Sequence, residues 1–336
     1  MALTELGHVV FRFDTEYYFP SMYKGFHSLS RKIGFGPRVS RMNHDIATRV
    51  KECVPDLVWI DKGLLIAPKT LASAMKIPSL PLLIHYSPDD MMNPANQTRL
   101  YLRSVPLYDI HITTKTHNLS ELKELGARRI QFMDNAYSAA THRPMPVSDG
   151  DREMYGGEIG FVGWYEKERA SSMNHIAECG LRVRIWGPGW RNREFSPHSN
   201  LRIEDRSLWA EEYTRVICST DVNLGFLRKI NRDRQTSRSI EIPACGGFMI
   251  AERTEEHIRL FKEDEEAVFF SSDDELAEKS AYYIRRPDDR VRIARAGYKR
   301  CLESGYSNVE RLGEFFRELN VRKVLNDRKV SCTTAT

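Results

Sequence analysis

The chain has 336 residues and a mass of 38.9 kDa. Single hydrophobic cores stop growing near ~250–300 residues, so this length predicts two domains. Hydrophobic residues make up 41% and charged residues 29%, which excludes a disordered chain. A net charge of +4 excludes a polybasic protein, and it permits an anionic ligand without requiring one.

Targeting and redox features are sparse. No uncharged apolar run approaches the ~18–20 residues of a membrane span, and residues 1–8 lack the basic and apolar regions of a signal peptide. We therefore expect a cytoplasmic protein without integral membrane association. The six cysteines are scattered, without a C-x-x-C pair, which favours buried thiols over a zinc site or a disulfide framework.

The first half of the chain alternates strand and helix patterns. The predicted strands are residues 8–13, 56–60, 80–85, 109–113 and 129–133, and the predicted helices are residues 39–53, 68–75, 93–104 and 117–125. This alternation predicts a parallel sheet covered on both faces. The opening is unusual, because a short helix at residues 2–6 comes directly before a strand. Either the first strand of a Rossmann-like domain is missing or the N-terminal sheet is built differently.

A polar stretch rich in Pro and Gly then predicts a linker at residues 144–155. The alternation restarts after it, with predicted strands at residues 158–162, 181–186, 221–226, 248–251 and 267–270 and predicted helices at residues 167–178, 207–219, 236–245, 255–261, 274–285, 287–304 and 309–319. The predicted organisation is an N-terminal Rossmann-like domain (1–143), a second one (156–308), a C-terminal helix segment (309–327) and a flexible tail (328–336). Ligands of open α/β sheets bind beyond the carboxyl ends of strands, so candidate residues follow the strands.

The segment 231–250 carries the richest pattern. A hydroxyl of Thr236 or Ser237 can cap a helix that ends at residues 246–247, and a helix N-terminus attracts anions. Arg238 lies in its first turn, where a cation opposes the helix dipole unless an anion is present. Glu241 lies three residues on, on the same face. This spacing predicts phosphate at the helix start and ribose one turn along, with a surface Arg238–Glu241 pair as the alternative.

Several motifs resemble one family. The runs RSIEIPACGGF (238–248) and EAVFF (266–270), with residues 274–276 and 294–297, resemble the C-terminal domain of CgeB-like, spore-maturation-type glycosyltransferases, relatives of GT-B family 4. Residues 161–169 and 183–190 resemble the first strand and loop, and the second strand and nucleobase loop, of that domain. The N-terminal stretches 55–63, 86–90 and 113–115 are also similar, so the resemblance extends over roughly residues 1–310.

The resemblance implies a GT-B fold, in which two Rossmann-like domains face each other across a cleft and the C-terminal one holds a nucleotide sugar, without a resident cofactor. It assigns Glu241 to the ribose and Arg238 to the diphosphate, with Ser237 at the same helix start. Asp233 stands where family 4 enzymes often carry a first glutamate, so its contact with the sugar is left open. If the stereochemistry follows family 4, the sugar is transferred with retention.

Other residues follow strands of the second domain. GT-B sites offset the charge of a departing diphosphate with basic groups rather than a metal, so we predict no metal. The further donor-binding candidates are Gly163, Lys167, Arg169, Trp186, Gly187, Arg228 and Lys229. Solvated loop bases and core aromatics are the alternative interpretation of these residues.

In the first domain, Asp89 and Asp90 follow a predicted strand and could bind acceptor hydroxyls or act as a general base. The alternative is a turn with a helix cap. His85 is a third catalytic candidate of this domain, and Lys62 and Lys115 are acceptor-side candidates.

The predicted function is transfer of a sugar from a nucleotide-diphosphate sugar to an unidentified acceptor. That acceptor is a glycan, a lipid, a protein or a modified nucleic-acid base, although nothing in the sequence indicates nucleic acid specifically. Two alternatives share the fold and the donor site. They are a sugar-nucleotide epimerase or hydrolase and a non-catalytic nucleotide-sugar-binding protein.

Overall fold

The computed structural model describes residues 2–19, 34–192 and 194–319. The chain forms two compact units. Unit 1 comprises residues 3–134 and the chain from Gly313 onward, and unit 2 comprises residues 135–312. Each unit contains one sheet, and all strand pairs in both sheets are parallel. Within the described ranges, no helix is long and apolar enough to cross a membrane.

Unit 1 has a four-stranded sheet in the spatial order β1-β2-β3-β4. Its strands are β1 (Leu57–Asp61), β2 (Leu82–Ser87), β3 (Ile110–Thr113) and β4 (Ile130–Phe132). Its helices are α1 (Ala2–Glu5), α2 (Pro37–Cys53), α3 (Pro68–Ala74), α4 (Arg99–Ser104) and α5 (Asn118–Glu124), with 3-10 turns at Glu16–Tyr18, Pro94–Asn96 and Val105–Leu107. Each strand is added on the same side of the one before it, so this sheet has no point at which the strand order reverses.

Two predictions for unit 1 are wrong. Residues 8–13 form no strand, and their apolar side chains are exposed, with Val9 82% and Phe11 55% accessible. A run of β-branched and aromatic residues favours a strand, but it does not provide the neighbouring strand that must satisfy its backbone hydrogen bonds. Residues 93–104 are not one helix either, because Asn93 and Thr98 each cap a separate short turn or helix.

Unit 2 has a six-stranded sheet in the order β10-β9-β8-β5-β6-β7. Its strands are β5 (Gly157–Val162), β6 (Val183–Trp186), β7 (Leu201–Ile203), β8 (Thr220–Gly225), β9 (Met249–Glu252) and β10 (Val268–Phe270). Its helices are α6 (Asp149–Tyr155), α7 (Lys167–Glu178), α8 (Glu211–Ser219), α9 (Arg238–Ala244), α10 (Glu255–Leu260), α11 (Asp273–Ile284) and α12 (Pro287–Glu303). The strand order reverses between β5 and β8, which is the switch point where doubly wound sheets bind ligands.

Helix α13 (Asn308–Glu318) begins in unit 2 and ends in unit 1, because the chain from Gly313 onward belongs to unit 1. Phe315 is 2% exposed and packs with core residues of β2 and β3, namely Leu82, Ile84, Ile110 and Ile112. The last helix therefore completes the core of the unit in which the chain begins.

The segment assigned to a linker contains helix α6. Ser148 accepts a hydrogen bond from the backbone N–H of Asp151, whose carboxylate accepts one from the backbone N–H of Ser148. This reciprocal capping box stabilises a helix start. The five cysteines that the structure describes are free. The expectation of buried thiols holds for Cys245 and Cys301 but is wrong for Cys179, which follows the last turn of α7 and is exposed.

Candidate functional site

The candidate donor site lies at the carboxyl ends of β5, β6, β8 and β9 in unit 2. β5 and β8 are adjacent parallel strands, so the loops that follow them start side by side. The loop after β5 leads into α7, and the loop after β8 leads through residues 226–237 into α9. Most of the predicted donor-binding residues lie on these two loops and at the two helix starts.

Gly163 and Gly187 bring the loops after β5 and β6 into contact. Gly187 has φ +132°, and a Cβ there would lie 2.1 Å from the carbonyl oxygen of Gly163. The Gly163 N–H donates to the Trp186 carbonyl at 2.8 Å, and the Trp190 indole N–H donates to the Gly163 carbonyl at 2.9 Å. Gly187 is therefore explained by the close packing of two loops, whereas a Cβ at Gly163 would lie 2.5 Å from the ring of Phe161.

Trp186 is buried, with 1% of its surface exposed. The guanidinium carbons of Arg184 and Arg206 lie 4.5 and 4.8 Å from the centre of its ring system. These cation–π contacts use the indole ring of Trp186 for packing within the protein. The structure thus places Trp186 in the protein interior, where no base can stack on it without displacing an arginine.

Arg169 is the most deeply buried cation of the site, with 3% of its surface exposed. It donates to the carbonyl oxygens of Trp164 at 3.2 Å and Phe226 at 3.5 Å, and its Nε lies 3.8 Å from a carboxylate oxygen of Glu166. The pKa of Arg169 is lowered to about 10, mainly by burial; the charge of Glu166 raises it, and the nearby charges of Arg238 and Arg228 contribute to the lowering. Three guanidinium groups therefore share this end of the sheet.

Two predicted cations of the loop after β8, Arg228 and Lys229, are paired. Arg228 donates through Nε to Glu166 at 2.7 Å, and Lys229 contacts Glu252. The carboxylate of Asp233 accepts hydrogen bonds from the Arg228 backbone N–H at 3.3 Å and from the Asn231 amide at 2.8 Å. The Asp233 carboxylate thus stabilises the loop to which Asp233 itself belongs. Lys167 is exposed at the first position of α7.

The start of α9 is fixed by a buried chain of hydrogen bonds rather than by the predicted cap. Ser237 occupies the N-cap position, but its hydroxyl makes no capping bond. The Ser239 hydroxyl instead accepts from the Thr236 N–H at 3.0 Å and lies 2.7 Å from Nε2 of His257. Nδ1 of His257 lies 2.6 Å from the Glu252 carbonyl, so this nitrogen is the donor and Nε2 accepts from Ser239.

Arg238 lies at the first position of this helix, half-buried. Its Nε is buried and has no hydrogen-bond partner. Among the described residues it forms no ion pair, so the alternative of a surface Arg238–Glu241 pair is not what the structure shows. Pro243 is accommodated near the end of the helix, which closes at Gly246 with φ +72°.

Glu241 is held by two residues from distant parts of the chain. The Tyr213 hydroxyl donates to Oε2 of Glu241 at 3.1 Å, and Nε2 of His142 lies 3.9 Å from Oε1. The Glu241 side chain is 17% exposed. A carboxylate anchored through one oxygen is well suited to accept hydroxyl groups through the other.

A cavity of about 200 Å³ lies beside these loops in unit 2. Its lining includes Arg169 and Lys229 but also Glu166, Glu168, Glu252 and Asp273. Four carboxylates make this cavity unsuitable for a diphosphate, although it adjoins the arginines that suit one.

In unit 1, two of the predicted catalytic and acceptor-side residues are partly exposed to solvent and two are buried. Lys62 and Asp89 form an ion pair with side chains 47% and 23% exposed. His85 and Lys115 are buried, with 1% and 3% exposed. Burial lowers the pKa of His85 to about 3, so this ring is neutral at physiological pH.

The His85 ring belongs to a buried cluster. Its Nε2 lies 3.1 Å from the Lys62 carbonyl, and its Nδ1 lies 3.2 Å from Nδ1 of His111. Rings of Tyr101 and Tyr108 surround the pair. His85 therefore serves the interior of unit 1 and is not open to a substrate.

Asp90 is also buried and accepts hydrogen bonds from the Asn118 amide at 2.8 Å and the Met92 N–H at 3.0 Å. One ligand atom each of Asp90, His117 and Glu121 lies within 4.8 Å of the others, a grouping that could hold a metal ion. The Asn118 amide also donates to Glu121 at 2.8 Å, so hydrogen bonds already connect the two carboxylates.

Comparisons with known proteins give a family match and similar folds. Residues 169–317 match a family described as glycosyl transferase-like. No curated protein matches the chain at a significant level.

Three solved structures are similar in fold. HepE from Anabaena, solved with UDP and glucose, is 12% identical, with 88% of this chain and 84% of HepE covered and a TM-score of 0.60. Sucrose-phosphate synthase from Thermosynechococcus elongatus is 11% identical, with 89% and 81% covered and a TM-score of 0.60. A putative UDP-N-acetylglucosamine 2-epimerase from Listeria monocytogenes is 11% identical, with 84% and 80% covered and a TM-score of 0.51.

The predicted fold is confirmed. The chain has the α/β GT-B fold with two parallel sheets, and the glycosyl transferase-like match supports a glycosyltransferase. Sequence reasoning missed His142, Tyr213 and the Ser239–His257 pair. His142 and Tyr213 lie 99 and 28 positions before Glu241, and no local spacing connects them.

Proposed function

We propose that the chain is a glycosyltransferase whose unit 2 binds a nucleoside diphosphate sugar. The observation that carries this proposal is the group of Arg169, Arg228 and Arg238 at the switch point, one helical turn from Glu241. Arg238 has no carboxylate partner among the described residues. The only carboxylate of these residues that lies within 4 Å of the Arg169 guanidinium is that of Glu166. An excess of guanidinium groups in a partly buried position suits a diphosphate, which two or more charge-assisted hydrogen bonds can hold.

In this proposal, Arg238 and Arg169 bind the diphosphate, and Glu241 accepts ribose hydroxyls. The same arginines stabilise the charge that develops on the diphosphate as the sugar leaves, which is how a preorganised electrostatic site accelerates transfer. Lys167, Arg228 and Lys229 add positive potential around the leaving group. We assign the acceptor to unit 1, where Lys62 and Asp89 are the predicted residues most open to solvent, and we propose transfer with retention and without a metal.

Titration calorimetry with UDP, GDP and ADP tests the donor site. HepE, a structural neighbour, was solved with UDP and glucose, which makes UDP the first probe. We expect one of the three to bind in the micromolar range. Arg238→Gln should weaken that binding by about 10–150-fold, the equivalent of the ~1.5–3 kcal/mol of a hydrogen bond to a charged group.

Arg182→Gln is the matched control, because Arg182 also lies in unit 2 but is 75% exposed and pairs with Glu158. It should leave nucleotide binding unchanged. No binding of any of the three nucleotides at millimolar concentration would overturn the proposal, as would equal affinities of wild type and Arg238→Gln.

A sugar-nucleotide epimerase or hydrolase is the second candidate, because the putative UDP-N-acetylglucosamine 2-epimerase from Listeria monocytogenes has a similar fold. Incubation of the enzyme with UDP-sugars and analysis of the products by NMR separates the two. An epimerised UDP-sugar among the products would show that the enzyme is an epimerase rather than a transferase. Free sugar released equally fast with and without an acceptor would indicate a hydrolase, whereas a UDP-sugar that stays largely intact until an acceptor is added would support a transferase.

A further inference from the structure

His142 and Tyr213 converge on Glu241 from two different segments. Tyr213 lies on α8, and His142 lies in the segment between β4 and α6. Tyr213 binds Oε2 of Glu241, whereas Oε1 accepts no hydrogen bond from a described residue and has Nε2 of His142 at 3.9 Å. One carboxylate oxygen is thus anchored, and the other faces an N–H without being used.

The His142 ring is held in one orientation and one tautomer. The Ser138 N–H donates to Nδ1 at 3.2 Å, so the proton of the neutral ring is on Nε2, the nitrogen that faces Glu241. The ring packs edge-on against Tyr213, with centroids 5.6 Å apart. The Thr214 hydroxyl donates to the Thr141 carbonyl at 2.9 Å and ties this segment to α8.

The Tyr213 phenol and the His142 imidazole are both hydrogen-bond donors in their neutral forms. Burial raises the pKa of Tyr213 well above its usual value, so the phenol keeps its proton. Burial lowers the pKa of His142, so the imidazole is neutral. A neutral O–H and a neutral N–H orient the Glu241 carboxylate without cancelling its charge, which leaves its accepting capacity for a ligand.

We infer that His142 and Tyr213 position the Glu241 carboxylate for the two ribose hydroxyls, so that the site selects ribonucleotides over 2′-deoxyribonucleotides. This inference rests on the proposed function. A carboxylate free to rotate could accept from the 3′-hydroxyl alone, whereas a fixed carboxylate loses one acceptor contact when the 2′-hydroxyl is absent. The selectivity thus depends on the two positioning residues as well as on Glu241.

The experiment compares the Kd of UDP with that of 2′-deoxy-UDP. Wild type should prefer UDP by about 10–150-fold, as expected for a hydrogen bond to a charged group. His142→Phe keeps the ring and its packing on Tyr213 but removes the N–H, and it should reduce the preference to less than about fivefold. Tyr213→Phe removes only the hydroxyl and should have the same effect.

His142→Gln is the rescue variant, because its amide can place an N–H near the position of Nε2, and it should restore most of the preference. Binding of inorganic pyrophosphate should be equal in all variants, since it reports the arginines alone. Melting temperatures control for misfolding. If His142→Phe and Tyr213→Phe keep the wild-type preference while UDP still binds, the inference is wrong and the proposed function stands. If wild type binds neither UDP nor pyrophosphate, the proposed function itself fails.

Discussion

The carboxyl ends of the two sheets carry charged residues in different states. In unit 1, Lys62 is neutralised by Asp89, and Asp90 is satisfied by Asn118 and a backbone N–H. In unit 2, Arg169 and Arg238 exceed the carboxylates available to them. An end whose charges are compensated has no need of a charged ligand. An end where two arginines share one carboxylate and Arg238 has none among the described residues gains most from an anion. This difference supports the proposal that unit 2 binds the anionic donor.

The largest effect should come from the loop packing that builds the unit 2 site. In Gly187→Ala the new Cβ would meet the Gly163 carbonyl at 2.1 Å, at a φ of +132°. Both atoms are on rigid backbone, so we expect a loss of at least about 4 kcal/mol in the free energy of unfolding. Urea denaturation of wild type and Gly187→Ala measures this difference in the free energy of unfolding.

Substitutions of two other glycines serve as controls for the effect of Gly187→Ala on the free energy of unfolding. Gly180→Ala has φ +86° and nothing within 4 Å, so it should cost only about 1 kcal/mol of backbone strain. In unit 1, Gly63→Ala would meet Cγ2 of Ile60 at 2.7 Å, a side-chain atom that can move, and should fall in between. A cost for Gly187→Ala no larger than that for Gly180→Ala would show that the two loops separate easily.

Acid should destabilise both units through their buried histidines. Burial lowers the pKa of His85 to about 3 and of His111 to about 4 in unit 1, and that of His257 to about 4 in unit 2. A histidine with a lowered pKa is neutral when folded and takes up a proton on unfolding below pH ~6.5. Its stabilisation is therefore complete above pH ~6.5 and is lost as the pH falls towards 4.

Between pH 6.5 and 5 the loss is roughly 2 kcal/mol for each of these histidines, hence roughly 4 kcal/mol in unit 1. In unit 2, His257 contributes roughly 2 kcal/mol, and His142, whose pKa burial also lowers, adds a loss in the same direction. Trp59 is the only tryptophan of unit 1 in the described residues, so the difference in fluorescence between wild type and Trp59→Phe follows this unit during urea denaturation. An unchanged stability of unit 1 between pH 6.5 and 5 would contradict the assignment of two buried neutral histidines to this unit.

The smallest effect should come from the ion pair of unit 1. Lys62→Ala and Asp89→Asn remove a partly exposed pair and should change the free energy of unfolding by less than about 1 kcal/mol. Neither should change the Kd of UDP by more than about twofold, because the donor is assigned to unit 2. A tenfold weakening in calorimetry would mean that both sheets contribute to donor binding.

Much of the fold follows from local patterns, since β1 to β6 and β8 to β10 overlap the segments that the sequence predicts as strands. The sequence does not predict β7, because Leu201–Ile203 has only three residues and an exposed arginine at its centre. Residues 8–13 carry β-branched and aromatic residues, but composition does not reveal whether a partner strand exists. The arginines and Glu241 could be predicted from strand ends and helix spacing, and these assignments to the donor remain predictions.

The burial of Trp186 and the contact of His142 with Glu241 could not be predicted in the same way. Both depend on how distant segments pack. Arg184 and Arg206 are 22 residues apart and cover the same indole, and Ser138 fixes a tautomer that sequence does not encode.

The position of Phe315 in the core of unit 1 has a consequence for biosynthesis. Residues 3–134 leave the ribosome first, but the aromatic ring that covers Leu82 and Ile84 is made only after residues 135–312. At 5–20 residues per second this interval lasts roughly 9–36 s. During translation the first sheet thus waits with an uncovered apolar face while unit 2 is completed. A nascent chain stalled before Gly313 should bind chaperones through β2 and β3.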